Sequence, residues 1–337
     1  MDLWDHCARA KRKLHRQAHS IDLIRITVTT ALSYAATNAV LKPTANIAVI
    51  APAGIPKQPE LERGIALLED WGYRVVTGNH LRSRHRYNAG SVAERSTDLN
   101  WALTSPDIDA VWLARGGYGC VHCLSSLPSE LPNRRMLIGN SDATSLLSAL
   151  YRRGYTNLIH GPMLESLAGR VDEETRDSML RLLRTPVAPA MPVEQLSGPA
   201  ESLSDSLGSL SGPLIGGNLT VLASIVGTPW AMSAGASIVL LEDVGEAAYR
   251  LDRSMTQLIM SGALSGARAV VFGEFVRCPV PETDSFSIED MMRDLLRPLD
   301  IPVFFGGQFG HGSRNLPWRY GALATIGREE LSLLPGG

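Results

Sequence analysis

The first half of the chain alternates short, continuously apolar runs with longer amphipathic stretches. The runs are Asn46 to Ala51, Tyr73 to Val76, Ala110 to Leu113, Met136 to Ile138 and Asn157 to Ile159. They are short and lack a polar face, which predicts strands buried on both sides. Helices are expected between and after them, at about 58–71, 91–104 and 171–184. A further helix opens just after Ser141 and carries Leu146, Leu147 and Leu150 on its apolar face. Strands alternating with helices predict a mostly parallel sheet covered on both faces. The loops at 52–54, 115–119, 139–141 and 160–163 leave strand C-termini, so they should gather at one edge, where such sheets bind ligands.

The pattern changes after Thr185-Pro186. From there to Pro213 the chain is rich in Pro, Ser, Gly and Ala, the composition of an interdomain linker. Shorter strands are then expected at Pro213 to Ile215, Ser237 to Leu241 and Ala269 to Phe275, with helices near 218–226, 250–261 and 287–297. The expected organisation is an extension over 1–45, an N-terminal α/β domain over 46–185, a linker over 186–212 and a smaller C-terminal α/β domain of short strands over 213–330. The extension is basic over its first twenty residues. Asp2, Asp5, Asp22 and Arg25 fit an export signal poorly, and the pattern gives the segment no purpose.

Composition narrows the chemistry. With 337 residues, 45% of them hydrophobic, the chain can bury two cores. A net charge of −2 without a long basic block leaves no electrostatic footprint for nucleic acid. No apolar run suits a membrane span. Four cysteines, Cys7, Cys120, Cys123 and Cys278, are too few for a disulfide scaffold of this size, which points to a reducing compartment. The last lysine is Lys57, so a catalytic lysine is excluded from 58 onwards.

Against that background a few polar residues stand out. Ser141 lies on a strand-to-helix corner, where its hydroxyl can project into a cleft and the Asp142 N–H is free to donate to an oxyanion. Arg115-Gly-Gly-Tyr-Gly119 is glycine-rich without dinucleotide or P-loop spacing, and its glycines let backbone approach a ligand. Glu242, Asp243 and Glu246 end an apolar strand, and His311 sits between two glycines, accessible as a general base. His160, at a strand end, is a rival base. Cys120-Val-His-Cys123 is a single CxxC without a second ligand pair, so packing at a helix start is expected there, and nothing offers a metal or cofactor ligand set. Jointly these residues fit a serine hydrolase with Ser141 as nucleophile, His311 as base and Glu242 holding the imidazole. The oxyanion donors would be Asp142 N–H and a glycine N–H from Gly116 and Gly117. The Gly-x-Ser-x-Gly elbow of ordinary α/β-hydrolases is absent.

Here the chain resembles the LD-carboxypeptidase family of serine peptidases. The shared segments are ArgGlyGlyTyrGly at 115–119, IleGly(Asn)SerAsp(Ala)Thr at 138–144, HisGlyProMet at 160–163 and LeuIleGlyGlyAsnLeuThr at 214–220. LeuGluAspValGlyGlu at 241–246, TyrArgLeuAspArg at 249–253 and GlyHisGly at 310–312 complete the set, in the family's order over about 46–325. Asn140 stands where the family usually has an aromatic or apolar residue. The resemblance implies a glutamine-amidotransferase-like N-terminal sheet, a Ser141-Glu242-His311 triad, an oxyanion hole at Asp142, Gly116 and Gly117, and a cytoplasmic homodimer. It also implies cleavage of the L,D bond between meso-diaminopimelate and terminal D-Ala of murein tetrapeptide, in cell-wall recycling. A sister branch hydrolyses peptidyl-nucleotide antibiotics in self-immunity, and a catalytically silent two-lobed binding protein is the third reading. With no lysine after Lys57, a substrate carboxylate needs an arginine or backbone N–H donors; Arg115, Arg250 and Arg314 lie nearest the site segments, with a structural ion pair as the alternative use of each.

Overall fold

The computed structural model describes residues 39–132, 135–186, 190–197, 210–281, 285–327 and 329–333. Most of the 1–45 extension, Cys7 included, and much of the 186–212 stretch lie outside the described residues. The elements of the first half are β1 (Asn46–Ile50), α1 (Gln58–Asp70), β2 (Arg74–Thr77), α2 (Val92–Thr104), β3 (Ala110–Leu113), α3 (Cys120–Cys123), β4 (Met136–Gly139), α4 (Ala143–Arg152), β5 (Leu158–His160), α5 (Leu164–Gly169) and α6 (Glu173–Arg184). The second half gives β6 (Met191–Pro192), β7 (Glu194–Ser197), β8 (Leu210–Asn218), α7 (Leu219–Ser224), β9 (Ile238–Val244), α8 (Ala248–Met260) and β10 (Ala269–Val276). It closes with α9 (Ile288–Leu296), β11 (Val303–Phe305), β12 (Trp318–Tyr320), β13 (Leu323–Ile326) and β14 (Glu330–Leu333).

The first sheet has the order β12-β5-β4-β3-β1-β2 and is parallel except at β12. Its central strands are apolar throughout because both faces are covered. Along β1, Ala48 and Ile50 face one core and Ile47 and Val49 the other, the period-2 alternation of a strand. Helix starts follow local chemistry. Ser91 and Glu94 form a reciprocal capping box on α2, and Asp172 accepts from Thr175 N at 2.9 Å to cap α6.

The second sheet runs β6-β14-β13-β8-β9-β10-β11-β7, with β8 to β11 parallel and antiparallel strands at both ends. The fold class is therefore the expected one, but the strand lengths differ. β8, β9 and β10 are nine, seven and eight residues long, against three to five in the parallel part of the first sheet. Gly216-Gly217 interrupt the apolar run of β8 while staying in the ladder with β9, and Gly273-Glu274 form an irregularity in β10 beyond which pairing with β9 resumes at Phe275, so the pattern understates both strands. The stretch read as linker contributes β6 and β7, which pair at opposite ends of this sheet. Pro192 is tolerated there because an edge strand can spare a donor.

Two features bind the halves together. Trp318–Tyr320 leaves the second half and pairs antiparallel with β5, Trp318 opposite His160. One apolar core also runs from Ile50, Val111 and Leu137 through α4 to Leu214, Leu240 and Val271. The edge of α4 meets β8 so closely that a Cβ on Gly217 would lie 2.5 Å from Thr144 Oγ1, and Thr144 Oγ1 accepts from Asn218 N at 3.0 Å.

Gly216 makes a direct test of this packing. Its φ is +133° and an added Cβ would fall 1.9 Å from the Leu240 carbonyl oxygen, a backbone atom that cannot swing aside. Gly216→Ala should lower the unfolding free energy by about 3 kcal/mol or more, read from the urea midpoint. A midpoint equal to wild type would show that β8 and β9 do not pack this way.

Candidate active site

Between the end of β4 and the start of α4 the chain has only Asn140, Ser141 and Asp142 in which to turn. It does so by placing Ser141 at φ +57°, in the left-handed region that few non-glycine residues occupy. The Asn140 carbonyl accepts from Ala143 N at 3.0 Å and the Ser141 carbonyl from Thr144 N at 2.9 Å, which holds the turn tight. Such strain at a serine is a feature of sites rather than of cores. The hydroxyl faces the glycine-rich loop. A Cβ on Gly116 would stand 2.8 Å from Ser141 Oγ, so only glycine lets that loop come so near.

Buried polar groups fix the loop. Gly54 N donates to Gly116 O at 2.9 Å, Asn88 Nδ2 to Tyr118 O, and Arg95 Nη1 to Gly119 O at 2.8 Å. Asp142 does not cap α4 with its side chain. Its Oδ2 instead accepts from Cys120 N at 2.7 Å, and burial raises its carboxyl above the usual range even so. Among the described residues, the N–H groups of Gly116, Gly117 and Asp142 donate to no protein acceptor. Those N–H groups are the expected oxyanion donors.

On the other side of the site, β9 ends in three carboxylates with different fates. Asp243 is consumed structurally, accepting from Asn218 Nδ2 at 2.9 Å, Thr220 N at 2.9 Å, Thr220 Oγ1 at 2.7 Å and Val244 N at 2.8 Å. Glu246 pairs with Arg250 at 3.5 Å. Glu242 alone meets a histidine: its Oε2 lies 2.6 Å from His311 Nδ1, fully buried, while its Oε1 has no partner among the described residues. Gly310, at φ +125°, lies against that carboxylate, and a Cβ there would be 2.9 Å from Oε2. The Ser141 turn reaches the same loop, because Asn140 Nδ2 donates to Gly310 O at 3.0 Å.

The rival base fails on physical grounds. His160 is fully buried with both ring nitrogens unpartnered among the described residues, stacked on Trp318 at 4.8 Å. Burial, with a smaller contribution from nearby His311, lowers its pKa to about 3, so it is neutral and out of reach of solvent. Cys120 and Cys123 are free buried thiols at the start of α3, and burial pushes Cys120 well up. The three candidate cations are each already paired: Arg115 with Glu165 at 3.5 Å, Arg250 with Glu246, and Arg314 with Asp172 at 2.7 Å.

A cleft of about 270 Å³ opens over Ser141, lined among others by Gly117, Tyr118, Asn218, Thr220 and Glu246. A larger groove, about 740 Å³, opens at the ends of β10 and β11 and contains none of the residues singled out from sequence. Asn218 and Thr220 were not singled out as site residues. Their signal was the N-cap position after two glycines, where Asn218 accepts from Val221 N at 3.0 Å and opens α7.

Comparison with known proteins matches residues 47–161 to the LD-carboxypeptidase N-terminal domain and residues 211–326 to the LD-carboxypeptidase C-terminal domain. The murein tetrapeptide carboxypeptidase of Pseudomonas aeruginosa is 37% identical over 292 residues, 83% of this chain and 92% of that protein. The microcin C7 self-immunity protein MccF of Escherichia coli is 22% identical over 289 residues, 77% of this chain and 83% of that protein. The crystal structure of muramoyltetrapeptide carboxypeptidase from Oxalobacter formigenes superposes with a TM-score of 0.75 at 30% identity, covering 86% of this chain and 99% of that one.

The His160 environment generates a pH test. Its native pKa of about 3 lies below the ordinary 6.5. As pH falls below 6.5 the unfolded chain therefore binds a proton that the native site refuses. Stability is lost across that window, by up to about 1.4 kcal/mol per pH unit. His160→Phe, which keeps the stack on Trp318, should flatten the decline between pH 6 and pH 4 in urea titrations. Parallel pH profiles for the two proteins would mean that His160 is solvated.

Proposed function

The chain belongs to the LD-carboxypeptidase family of serine-type hydrolases, and on that premise we propose that it releases the terminal D-Ala of murein tetrapeptide by cleaving the L,D bond to meso-diaminopimelate. The role is peptidoglycan recycling in the cytoplasm, as a homodimer. The relatives named for that substrate support this reading, as do the free buried thiols at Cys120, Cys123 and Cys278. Among the described residues, no helix is long and apolar enough to cross a membrane.

The observation that carries the mechanism is the buried His311–Glu242 bond beside the Ser141 turn. With Nδ1 committed to Glu242, the imidazole has Nε2 left to accept the Ser141 proton. Ser141 Oγ attacks the carbonyl carbon of the scissile bond. The N–H groups of Asp142 and of Gly116 or Gly117 take the developing oxyanion, and they need no reorganisation because no protein acceptor holds them. His311 returns the proton to the departing D-Ala nitrogen, and a water then repeats the sequence on the acyl-enzyme. Glu242, with no exposure, stabilises the imidazolium at both steps.

The C-terminal carboxylate of the substrate meets no lining arginine or lysine in the cleft. Recognition therefore falls to neutral donors, with the second Asn218 Nδ2 hydrogen and backbone N–H groups at hand, since both Thr220 donors already serve Asp243. Of the two alternatives that the sequence leaves open, an arginine or backbone donors, this reading takes the second.

Two experiments follow. Ser141→Ala should cut turnover by about 10⁴-fold or more, and Glu242→Gln by about 10³-fold, with thermal midpoints within a few degrees of wild type for the serine variant. A Ser141→Ala protein retaining a tenth of wild-type turnover would remove Ser141 as nucleophile. Mass spectrometry of murein tetrapeptide incubated with the protein should show tripeptide plus free D-Ala. Amidating the tetrapeptide's C-terminus should lower kcat/KM about 10²-fold. Cleavage of the amide as fast as the acid would point away from a carboxypeptidase and towards the self-immunity branch.

A further inference from the structure

We infer that Asn140 is a positioning residue: its side-chain amide ties the turn carrying Ser141 to the loop carrying His311 and so fixes the spacing between nucleophile and base. The inference rests on the roles proposed above for those two residues. Asn140 is buried, 1% exposed, and its Nδ2 donates to Gly310 O at 3.0 Å across 170 residues of sequence. That carbonyl belongs to the peptide linking Gly310 to His311, and among the described residues it accepts no other hydrogen bond. The other side of the same loop is held from elsewhere. Gly310 N donates to Asn315 Oδ1 at 3.1 Å, and Asn315 N donates to Thr175 Oγ1 at 3.0 Å. The ring itself is held by Glu242 at 2.6 Å.

Each of those contacts positions His311 relative to β9 or α6. Only the Asn140 amide relates the loop directly to the residue next to Ser141. An amide suits the task because it brings a strong donor of fixed reach without a charge to bury. A leucine of similar volume would fill the space and leave the Gly310 carbonyl without a donor. An aspartate would set a carboxylate against that carbonyl and repel it. In either case the loop relaxes away from the turn, and a shift of a few tenths of an ångström to one ångström between reacting groups slows the chemical step without altering substrate affinity.

The test compares wild type with Asn140→Leu and Asn140→Asp by two independent readouts. The first is kcat and KM for D-Ala release from murein tetrapeptide. Both variants should lose roughly 10- to 100-fold in kcat, with KM within about twofold. The second is the far-downfield proton resonance of the His311 Nδ1–H in its short bond to Glu242, which needs no substrate. It should be sharp in wild type and shifted or broadened in both variants. An Asn140→Leu protein with wild-type kcat and an unshifted resonance would overturn the inference. So would a kcat loss matched by a fall in thermal midpoint while the resonance stays unchanged, since that is packing alone. If wild type releases no D-Ala, the substrate reading fails by itself, and the resonance in Asn140→Leu still decides the role of Asn140.

Discussion

A carboxylate with no exposed surface is the constraint around which this site is arranged. Glu242 sits at the end of β9 with zero accessibility, and removing an ion of that kind from water costs several kcal/mol unless partners replace the lost solvation. One oxygen is held by His311 and the other has no partner among the described residues. The His311 loop is thus bound to β9 by electrostatic need as well as by packing. Under the role proposed for His311, an imidazolium formed there would meet a carboxylate already in place, whereas in water the solvent would have to reorganise around it.

The second constraint is closeness of backbone to backbone. Gly116 lies against the Ser141 hydroxyl, Gly217 against Thr144, and Gly310 against Glu242. At each position a single methyl group would push a chemical group away from its place. The glycines are therefore where the two sheets, the loop at 116–119 and the loop at 310–312 are brought within reach of one another. Arg95 and Asn88 then bond the carbonyls of loops that carry no regular structure, so that the loop at 116–119 is fixed as firmly as a strand.

Charge is distributed so that the cleft keeps few fixed ions of its own. Arg115, Arg250 and Arg314 are paired with Glu165, Glu246 and Asp172, and Asp243 is spent on organising Asn218 and Thr220. The cleft over Ser141 is lined by Asp142, Asp243 and Glu246, each already engaged by hydrogen bonds or an ion pair, among neutral polar and apolar groups.

The sequence by itself determined the strands and the longer helices of the first half, because continuous apolar runs and capping residues are local signals that burial on both faces leaves unambiguous; α5, six residues long, is not legible there. It also marked Ser141, Glu242 and His311, through a strand-to-helix corner, a strand end and a glycine-flanked loop, each a chemical type in a recognisable setting. The tertiary structure decided the rest. The full lengths of β8 and β10 stayed hidden behind glycines, paired in β8 and at a ladder irregularity in β10, and β6, β7 and β12 are too short to carry a period of their own. Sequence spacing preferred Glu242 to Asp243 and Glu246, and His311 to His160, with no contact to support either choice. Only three-dimensional packing buried His160 against Trp318, gave Asp243 four hydrogen bonds and set Glu242 against His311. The bond from Asn140 to Gly310 spans 170 residues, and no local pattern can encode which buried amide will face which distant carbonyl.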